Sequence, residues 1–412
     1  MIQLKLQHNF TFDDLYDHSR LEDLDRIFMD YLKNKDHTLH SLLLLMRTNE
    51  LNSIIHKKSD IIISVAKFLE TFLVEFFDIT KPFALIVERN NRLKNLYYCN
   101  KFLIKKQISK ITYDLNHINI TSINLSVINS LITCISDVDN LYSSIIDFEI
   151  DIANAFNKYS GSNDHTTIHI IEEYAKWAMY SSEGKSLHKK GILFKLHQKV
   201  DHNNLINDLQ NTDNGRTSFF HTDSLNQRFE FDLNSDIPNT HKALHEAHYC
   251  ILCHNRSKDS CSHGMKDQNN TYKHNELNIP LAGCPLEEKI SEMNQLKISN
   301  NILAAFAVAI IDNPMIAATG YRICNDCMKS CIYQKQEPVN IPYIESQILD
   351  EILTLPWGFE IYSLLTKWNP LKEQGYLPAD EQNKAILVVG LGPAGFTLSH
   401  YLIQAGYYIL AI

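Results

Sequence analysis

The sequence has no long block of basic residues, no extended apolar run and no recognisable export signal. It contains 39 Lys and Arg against 48 Asp and Glu, a formal net charge of -9, which is a poor match for nucleic acid or an anionic membrane surface. The longest apolar run, ILAAFAVAII at 302–311, is about half of the ~20 residues that span a bilayer. The first residues lack a basic segment followed by an apolar one. These absences predict a soluble, cytoplasmic protein without nucleic-acid or membrane partners.

The 412 residues are enough for two or three domains of about 100–200 residues each. Residues 1–160 carry apolar side chains at helical intervals, which predicts a helical domain whose role the sequence does not indicate. Residues 161–245 read as a helical and irregular connecting region, and 246–368 as a cysteine-rich helical domain. A linker is predicted over 369–384, followed by a strand, a turn, a helix and a second strand over 385–412. The predicted fold class is mainly α.

Most of the nine cysteines are concentrated in one part of the chain, and seven follow the pattern C-x2-C-x7-C, a single cysteine, then C-x2-C-x3-C. They are Cys250, Cys253, Cys261, Cys284, Cys324, Cys327 and Cys331. Because the cytosol keeps thiols reduced, structural disulfides are not expected. Closely spaced thiolates are ligands for soft metals and for iron–sulfur clusters. Spacing alone leaves two interpretations open: iron–sulfur clusters, or structural zinc sites in a non-enzymatic helical protein.

A glycine-rich turn lies between the strand and the helix near residue 390. In the stretch GLGPAG, Gly390 permits the tight turn, Gly392 lets a pyrophosphate approach the backbone, and Gly395 lets the helix pack closely. Together with Pro393 and Ala394, these glycines are the predicted cofactor-binding residues, with the pyrophosphate at the helix N-terminus.

The second predicted strand, YYILAI, reaches Ile412 without an acidic residue after it. Dinucleotide sites use an Asp or Glu at this place to bind the ribose. A single β-α-β unit cannot enclose FAD and leaves an apolar face unburied, because parallel sheets are covered on both sides. We therefore expect an incomplete Rossmann-like unit, either in the N-terminal fragment of a longer or split enzyme or in an inactive truncated product.

The segments GCP with the acidic residues after it, AAFAVAIIDNPMIAATGYRICNDCMKSC and EPVNIPYIES resemble a known family. This is the iron–sulfur domain shared by the glutamate synthase small (beta) subunit and the N-terminal part of dihydropyrimidine dehydrogenase, and the resemblance covers 246–412. It implies an α-helical, ferredoxin-like domain with two [4Fe–4S] clusters, followed by an FAD domain. The implied function is the electron-transfer part of an NADPH-dependent, glutamate-synthase-like oxidoreductase, with NADPH and FAD on a missing or separate C-terminal portion and an electron-accepting protein as partner. The resemblance names no catalytic acid, base or nucleophile, and whether this chain alone is an enzyme stays open.

The resemblance also implies which residues hold each cluster. One ligand set is Cys250, Cys253, Cys261 and Cys331, and the other is Cys284, Cys324, Cys327 and Glu345. Glu345 stands where the family places a Glu or Gln ligand, and Gln347 is the alternative. The chain departs from the family in the long segment between Cys261 and Cys284 and in the short spacing between Cys324 and Cys327, which puts the assignment of Cys261 most in doubt.

Overall fold

The computed structural model of the chain is mainly helical, so the predicted fold class is confirmed. It describes residues 6–51, 55–110, 144–161, 165–201, 208–213, 216–221, 231, 238–256, 258–321 and 323–412. The α-helices described, in chain order, are α1 (His18–Lys35), α2 (His37–Arg47), α3 (Ile55–Phe76), α4 (Thr80–Asn91), α5 (Lys94–Cys99), α6 (Ile145–Tyr159), α7 (His165–Tyr180), α8 (Ser182–Leu187), α9 (Thr240–Tyr249), α10 (Ser260–His263), α11 (Ile290–Ile298), α12 (Ile302–Asp312), α13 (Ile316–Thr319), α14 (Asp326–Lys329), α15 (Ile341–Leu353), α16 (Gly358–Lys367) and α17 (Pro393–Gln404).

The chain divides into two compact units whose limits differ from the predicted domains. The first unit comprises 1–82, 198–239 and 249–412, and the second comprises 83–197 and 240–248. Helix α3 packs against α12, which groups the first helices with the cysteine-rich part of the chain, and the predicted domain limits stay predictions. Sequence periodicity reports which face of a helix is buried, but it does not report which distant segment covers that face.

Local signals fix the starts of α1 and α2. The carboxylate of Asp17 accepts a hydrogen bond from the Arg20 backbone N–H at 3.0 Å, and that of Asp36 accepts one from the Leu39 N–H at 2.9 Å. Such caps satisfy backbone donors that have no partner within the first turn of a helix. Both aspartates precede segments with helical apolar spacing, and the helices begin directly after them.

The apolar run of the sequence forms α12, which is the central helix of the first unit. Its residues from Ile302 to Ile310 are all buried, and α3, α11, α15 and α16 pack around it. A helix that is apolar on all sides is typical of a protein core as well as of a membrane span. Within the described ranges, no helix has both the length and the apolar character needed to cross a membrane.

Glu70 on α3 makes the stability of the first unit depend on pH. Its carboxylate accepts hydrogen bonds from Asn301 Nδ2 at 2.8 Å and from the Ala304 N–H at 3.1 Å. Burial nevertheless raises its pKa from 4.5 to about 7. The native state therefore holds this proton more tightly than the unfolded chain does. The resulting stabilisation is fully present below pH 4.5 and is lost as the pH rises to about 7.

We expect Glu70→Gln to remove this contribution. Over that pH range the free energy of unfolding of the natural protein should fall by about 3 kcal/mol more than that of the variant, at ~1.4 kcal/mol per pKa unit. Urea unfolding of both proteins at a series of pH values measures the difference. Parallel pH profiles would show that Glu70 ionises normally in the folded protein.

The second unit is built on an apolar core of α5, α6 and α7. Its buried residues include Leu96, Ile152, Ala153, Ile171 and Ala175. A buried polar network lies within this core: Glu149 of α6 contacts His188 Nδ1 at 2.7 Å, and His188 Nε2 lies 2.9 Å from the Tyr174 hydroxyl. The same carboxylate accepts hydrogen bonds from the Ile192 and Leu193 backbone N–H groups. The Glu149 side chain thus links α6 to the segment that follows α8.

Two small sheets complete the described structure. Strands β1 (Asp208–Asp213) and β2 (Arg216–His221) pair antiparallel. Strands β3 (Ala385–Val388) and β4 (Tyr408–Ala411) pair in parallel and are joined by α17, as the sequence predicts, and residues 369–384 before them contain neither helix nor strand. Apolar side chains of this β-α-β unit are exposed, among them Leu387, Phe396 and Leu410, which confirms the expected unburied face.

Candidate functional site

Four cysteines come together in the first unit, and we call them the first thiol group: Cys250, Cys253, Cys261 and Cys331. Each comes from a different short segment. The first follows α9, the second opens a 3-10 turn over Cys253–Arg256, the third lies in α10, and the fourth follows α14. Helices α10 and α14 pack against each other. All but Cys250 are buried.

Hydrogen bonds to sulfur distribute the protons within the first thiol group. The Cys261 thiol donates a hydrogen bond to the Cys331 sulfur, which lowers the pKa of Cys331 to about 7 and raises that of Cys261. Backbone N–H groups that include that of Tyr333 also lower the pKa of Cys331. Burial raises the pKa of Cys253 to about 12. Near neutral pH the group therefore combines a thiolate with neutral thiols.

A second cluster of thiols and carboxyls lies in the same unit, and we call it the second group: Cys284, Cys324, Cys327, Glu288 and Glu345. Burial and then the Glu345 and Glu288 carboxylates raise the pKa of Cys327. Burial and then Glu288 raise that of Cys284 to about 12. The structure thus brings the three predicted cysteines close to the predicted Glu345. Gln347, the predicted alternative to Glu345, is buried on the same helix, α15.

The two carboxyls of the second group form a hydrogen-bonded pair. Glu288 and Glu345 are both buried, and burial is the main cause that raises the pKa of each. The charge of Glu288 raises the pKa of Glu345 further, so Glu345 keeps its proton and donates a hydrogen bond to Glu288. Sequence reasoning missed Glu288, although the acidic pair in GCPLEEKI stands only four residues beyond Cys284.

Backbone contacts join the two groups. The Cys284 N–H donates to the Cys261 carbonyl oxygen at 2.8 Å, and the Gly283 N–H donates to Ser330 Oγ at 2.8 Å. Gly283 has φ +84, and a Cβ added to it would lie 2.4 Å from the Gly264 nitrogen. Only glycine fits this position without a shift of the backbone. The Gly283 turn therefore allows the close backbone approach between the segments that carry the two groups.

The predicted cofactor-binding residues Gly390, Gly392, Pro393, Ala394 and Gly395 lie together in the turn between β3 and the start of α17. A Cβ on Gly395 would lie 1.9 Å from the Gly390 carbonyl oxygen, and Gly390 has φ +95. Both glycines are thus required by the turn itself. Because the turn needs them without any ligand, their role in binding a dinucleotide stays a prediction.

No group of three or more His, Cys, Asp or Glu in the described parts of the chain is arranged to hold a single metal ion. A structural zinc site requires four such ligands converging on one point. This finding counts against the zinc interpretation. It also gives no support to the prediction that the chain binds single metal ions.

Comparison with known proteins finds similarity to a helical-domain family model and to uncharacterized proteins. The family model "RP005 N-terminal alpha-helical domain" matches residues 6–78. The chain is similar to the uncharacterized protein RP006 of Rickettsia prowazekii (strain Madrid E), with 64% identity over 98 residues, which is 24% of this chain and 14% of that protein. It is also similar to the uncharacterized protein RP005 of the same strain, with 29% identity over 316 residues, which is 71% of this chain and 98% of that protein. The chain thus spans nearly all of RP005 but about one seventh of RP006.

The predicted membership of the glutamate synthase small subunit and dihydropyrimidine dehydrogenase family is wrong. The family model that matches describes an RP005 helical domain, the two relatives are uncharacterized proteins, and no described group is arranged to hold a metal ion. The classification built on that family, an iron–sulfur oxidoreductase dependent on FAD and NADP, is wrong with it. Cysteine pairs and glycine turns are local solutions that recur on unrelated folds, so their order along a chain does not establish a family.

Proposed function

We propose that the first thiol group and the second group are the ligand sets of two [4Fe–4S] clusters, and that the protein transfers electrons through them. The proposal keeps the partition into two ligand sets that the rejected family implied, but its support comes from the positions of the side chains. It is supported by one observation: eight side chains from distant segments gather into two neighbouring sets, Cys250, Cys253, Cys261 and Cys331, and Cys284, Cys324, Cys327 and Glu345.

The residues present fit such a cofactor. Thiolates are the ligands that iron–sulfur clusters take, and a carboxylate oxygen can complete one iron. A cluster spreads its ligands over several iron atoms, so its ligands do not converge on one point as they do around a single zinc ion. The absence of a single-ion group in the described residues is therefore compatible with the proposal.

When bound, such a cluster supplies one-electron transfer, and this chain's own residues set the conditions for it. Cys250 Sγ accepts a hydrogen bond from the Leu252 N–H at 3.4 Å, and hydrogen bonds to ligand sulfur raise a cluster's reduction potential. Burial of Cys253, Cys261 and Cys331 excludes water from the first site.

An electron-accepting protein partner, and a separate portion that supplies NADPH and FAD, are further parts of this proposal that only the rejected family implied. The proposal also includes a cytoplasmic location, where thiols stay reduced and available as ligands. The role of the chain without those partners is electron storage and transfer, with no acid, base or nucleophile assigned.

Single-cysteine variants test the proposal after anaerobic reconstitution with iron and sulfide. Cys331→Ala should abolish the cluster of the first thiol group, and Cys327→Ala that of the second group. Each variant should lose about half of the paramagnetic resonance signal of the reduced protein. Cys99→Ala is the matched control, because Cys99 is a buried cysteine outside both groups and should leave the signal unchanged. Equal signals in all three variants, or no cluster signal in the natural protein, would refute the assignment.

A further inference from the structure

A pocket of about 500 Å³ lies in the first unit, and none of the proposed cluster ligands lines it. It is bounded by α17, by the segment around Lys372 and by the end of α12. The polar side chains used below are Lys289, Asp312, Lys372, Gln374, His400 and Gln404.

Each of the two carboxylates of the pocket wall is paired with a lysine. Asp312 forms an ion pair with Lys289, whose Nζ lies 2.9 Å from both carboxylate oxygens. Glu373 also lines the pocket and pairs with Lys58 at 2.8 Å. In contrast, the Lys372 ammonium and the His400 ring have no hydrogen bond or ion pair with another residue in the portion of the chain that the structure describes.

The Lys372 charge acts on the His400 imidazole, and the charge of Asp312 partly offsets the effect of burial on the pKa of Lys372. Burial lowers the pKa of Lys372, and burial together with the charges of Lys372 and Lys367 lowers that of His400. Both groups are thus in a position where positive charge is disfavoured and where an anion would relieve the cost. The amides of Gln374 and Gln404 add hydrogen-bond donors to the same pocket.

We propose that this pocket binds the phosphate group of a small phosphorylated ligand, with Lys372 as its charge partner and His400, Gln374 and Gln404 as hydrogen-bond donors. Donors on several sides of one pocket suit the oxygens of a tetrahedral oxyanion better than the two oxygens of a carboxylate, and lysine is a common phosphate ligand. This inference is independent of the proposed clusters, because none of these residues belongs to either cysteine group.

Calorimetric titration with inorganic phosphate, and separately with acetate, at constant ionic strength tests the site on the full chain. The natural protein should bind phosphate saturably and more tightly than acetate. Lys372→Gln should weaken phosphate binding about ten-fold or more, as expected for a lost charged hydrogen bond. Lys384→Gln, which replaces an exposed lysine outside this pocket, should change the affinity less than about two-fold, within the range of screened surface charge.

Phosphate binding should also depend on the His400 side chain. His400→Gln keeps a donor and should retain most of the affinity, whereas His400→Leu should lose about as much as Lys372→Gln, so the result does not depend on one variant folding. Absence of saturable binding, equal affinity for acetate, or equal losses in the Lys372 and Lys384 variants would overturn the proposal.

Discussion

Replacing Glu149 with alanine is expected to lower the free energy of unfolding by about 3–5 kcal/mol, the usual cost of removing one member of a buried, hydrogen-bonded charge network. The Glu149 side chain is 0% exposed. It contacts His188 Nδ1 at 2.7 Å and accepts from the Ile192 and Leu193 N–H groups at 2.6 and 2.9 Å. Alanine would leave all three groups buried without this acceptor.

Urea unfolding followed by circular dichroism measures this loss. The matched control is Glu173→Ala on α7, which removes a partly exposed carboxylate paired with Lys176. That change should cost no more than about 1 kcal/mol, as is usual for surface ion pairs. If the two variants unfold at the same urea concentration, the Glu149 network does not hold the second unit together.

A loss of similar size, about 3–5 kcal/mol, is expected for Asp25→Ala in the first unit. Asp25 accepts two hydrogen bonds from Arg47, both at 2.9 Å, and a third from Trp368 Nε1 at 2.9 Å. Arg47 in turn lies over the Tyr376 ring, 3.8 Å from its centroid. Without the carboxylate, the Arg47 charge would be buried without its counter-ion and the indole N–H without an acceptor.

The control for Asp25 is Asp23→Ala on the same helix. Asp23 pairs with Arg20 and Arg26 at the surface, and its loss should cost about 1 kcal/mol or less. Thermal and urea unfolding of the two variants compare the sites directly. A stability for Asp25→Ala within 1 kcal/mol of that control would mean that the Arg47 charge finds water or another partner, contrary to the buried geometry.

The features that sequence reasoning predicted correctly are those set by neighbouring residues. The mainly helical character of the chain follows from apolar residues at helical intervals. The β-α-β unit follows from a short apolar strand and a glycine turn in which Gly390 and Gly395 have steric roles. In each case the contacts that determine the local structure join residues close together in the sequence, so the sequence pattern predicts that structure.

Contacts between distant segments were not predictable from one sequence. Lys297 is 0% exposed and pairs with Glu351. A lysine in a sequence ordinarily predicts a solvent-exposed position, so this buried pair was not expected. The unit boundary near residue 82 depends on the packing of α3 against α12. Glu288 belongs to the second group because of a turn in the chain, and periodicity in the sequence does not predict that turn. The partition of the cysteines was inferred from a family to which the chain was wrongly assigned, and their role as ligands therefore stays a prediction.

The most direct test of the proposed function is the iron, sulfide and zinc content of the full chain prepared without oxygen. The account predicts about eight iron atoms and about eight acid-labile sulfides per chain, as two [4Fe–4S] clusters require, with little zinc. Protein that folds normally but contains zinc, or neither iron nor labile sulfide after reconstitution, would contradict it.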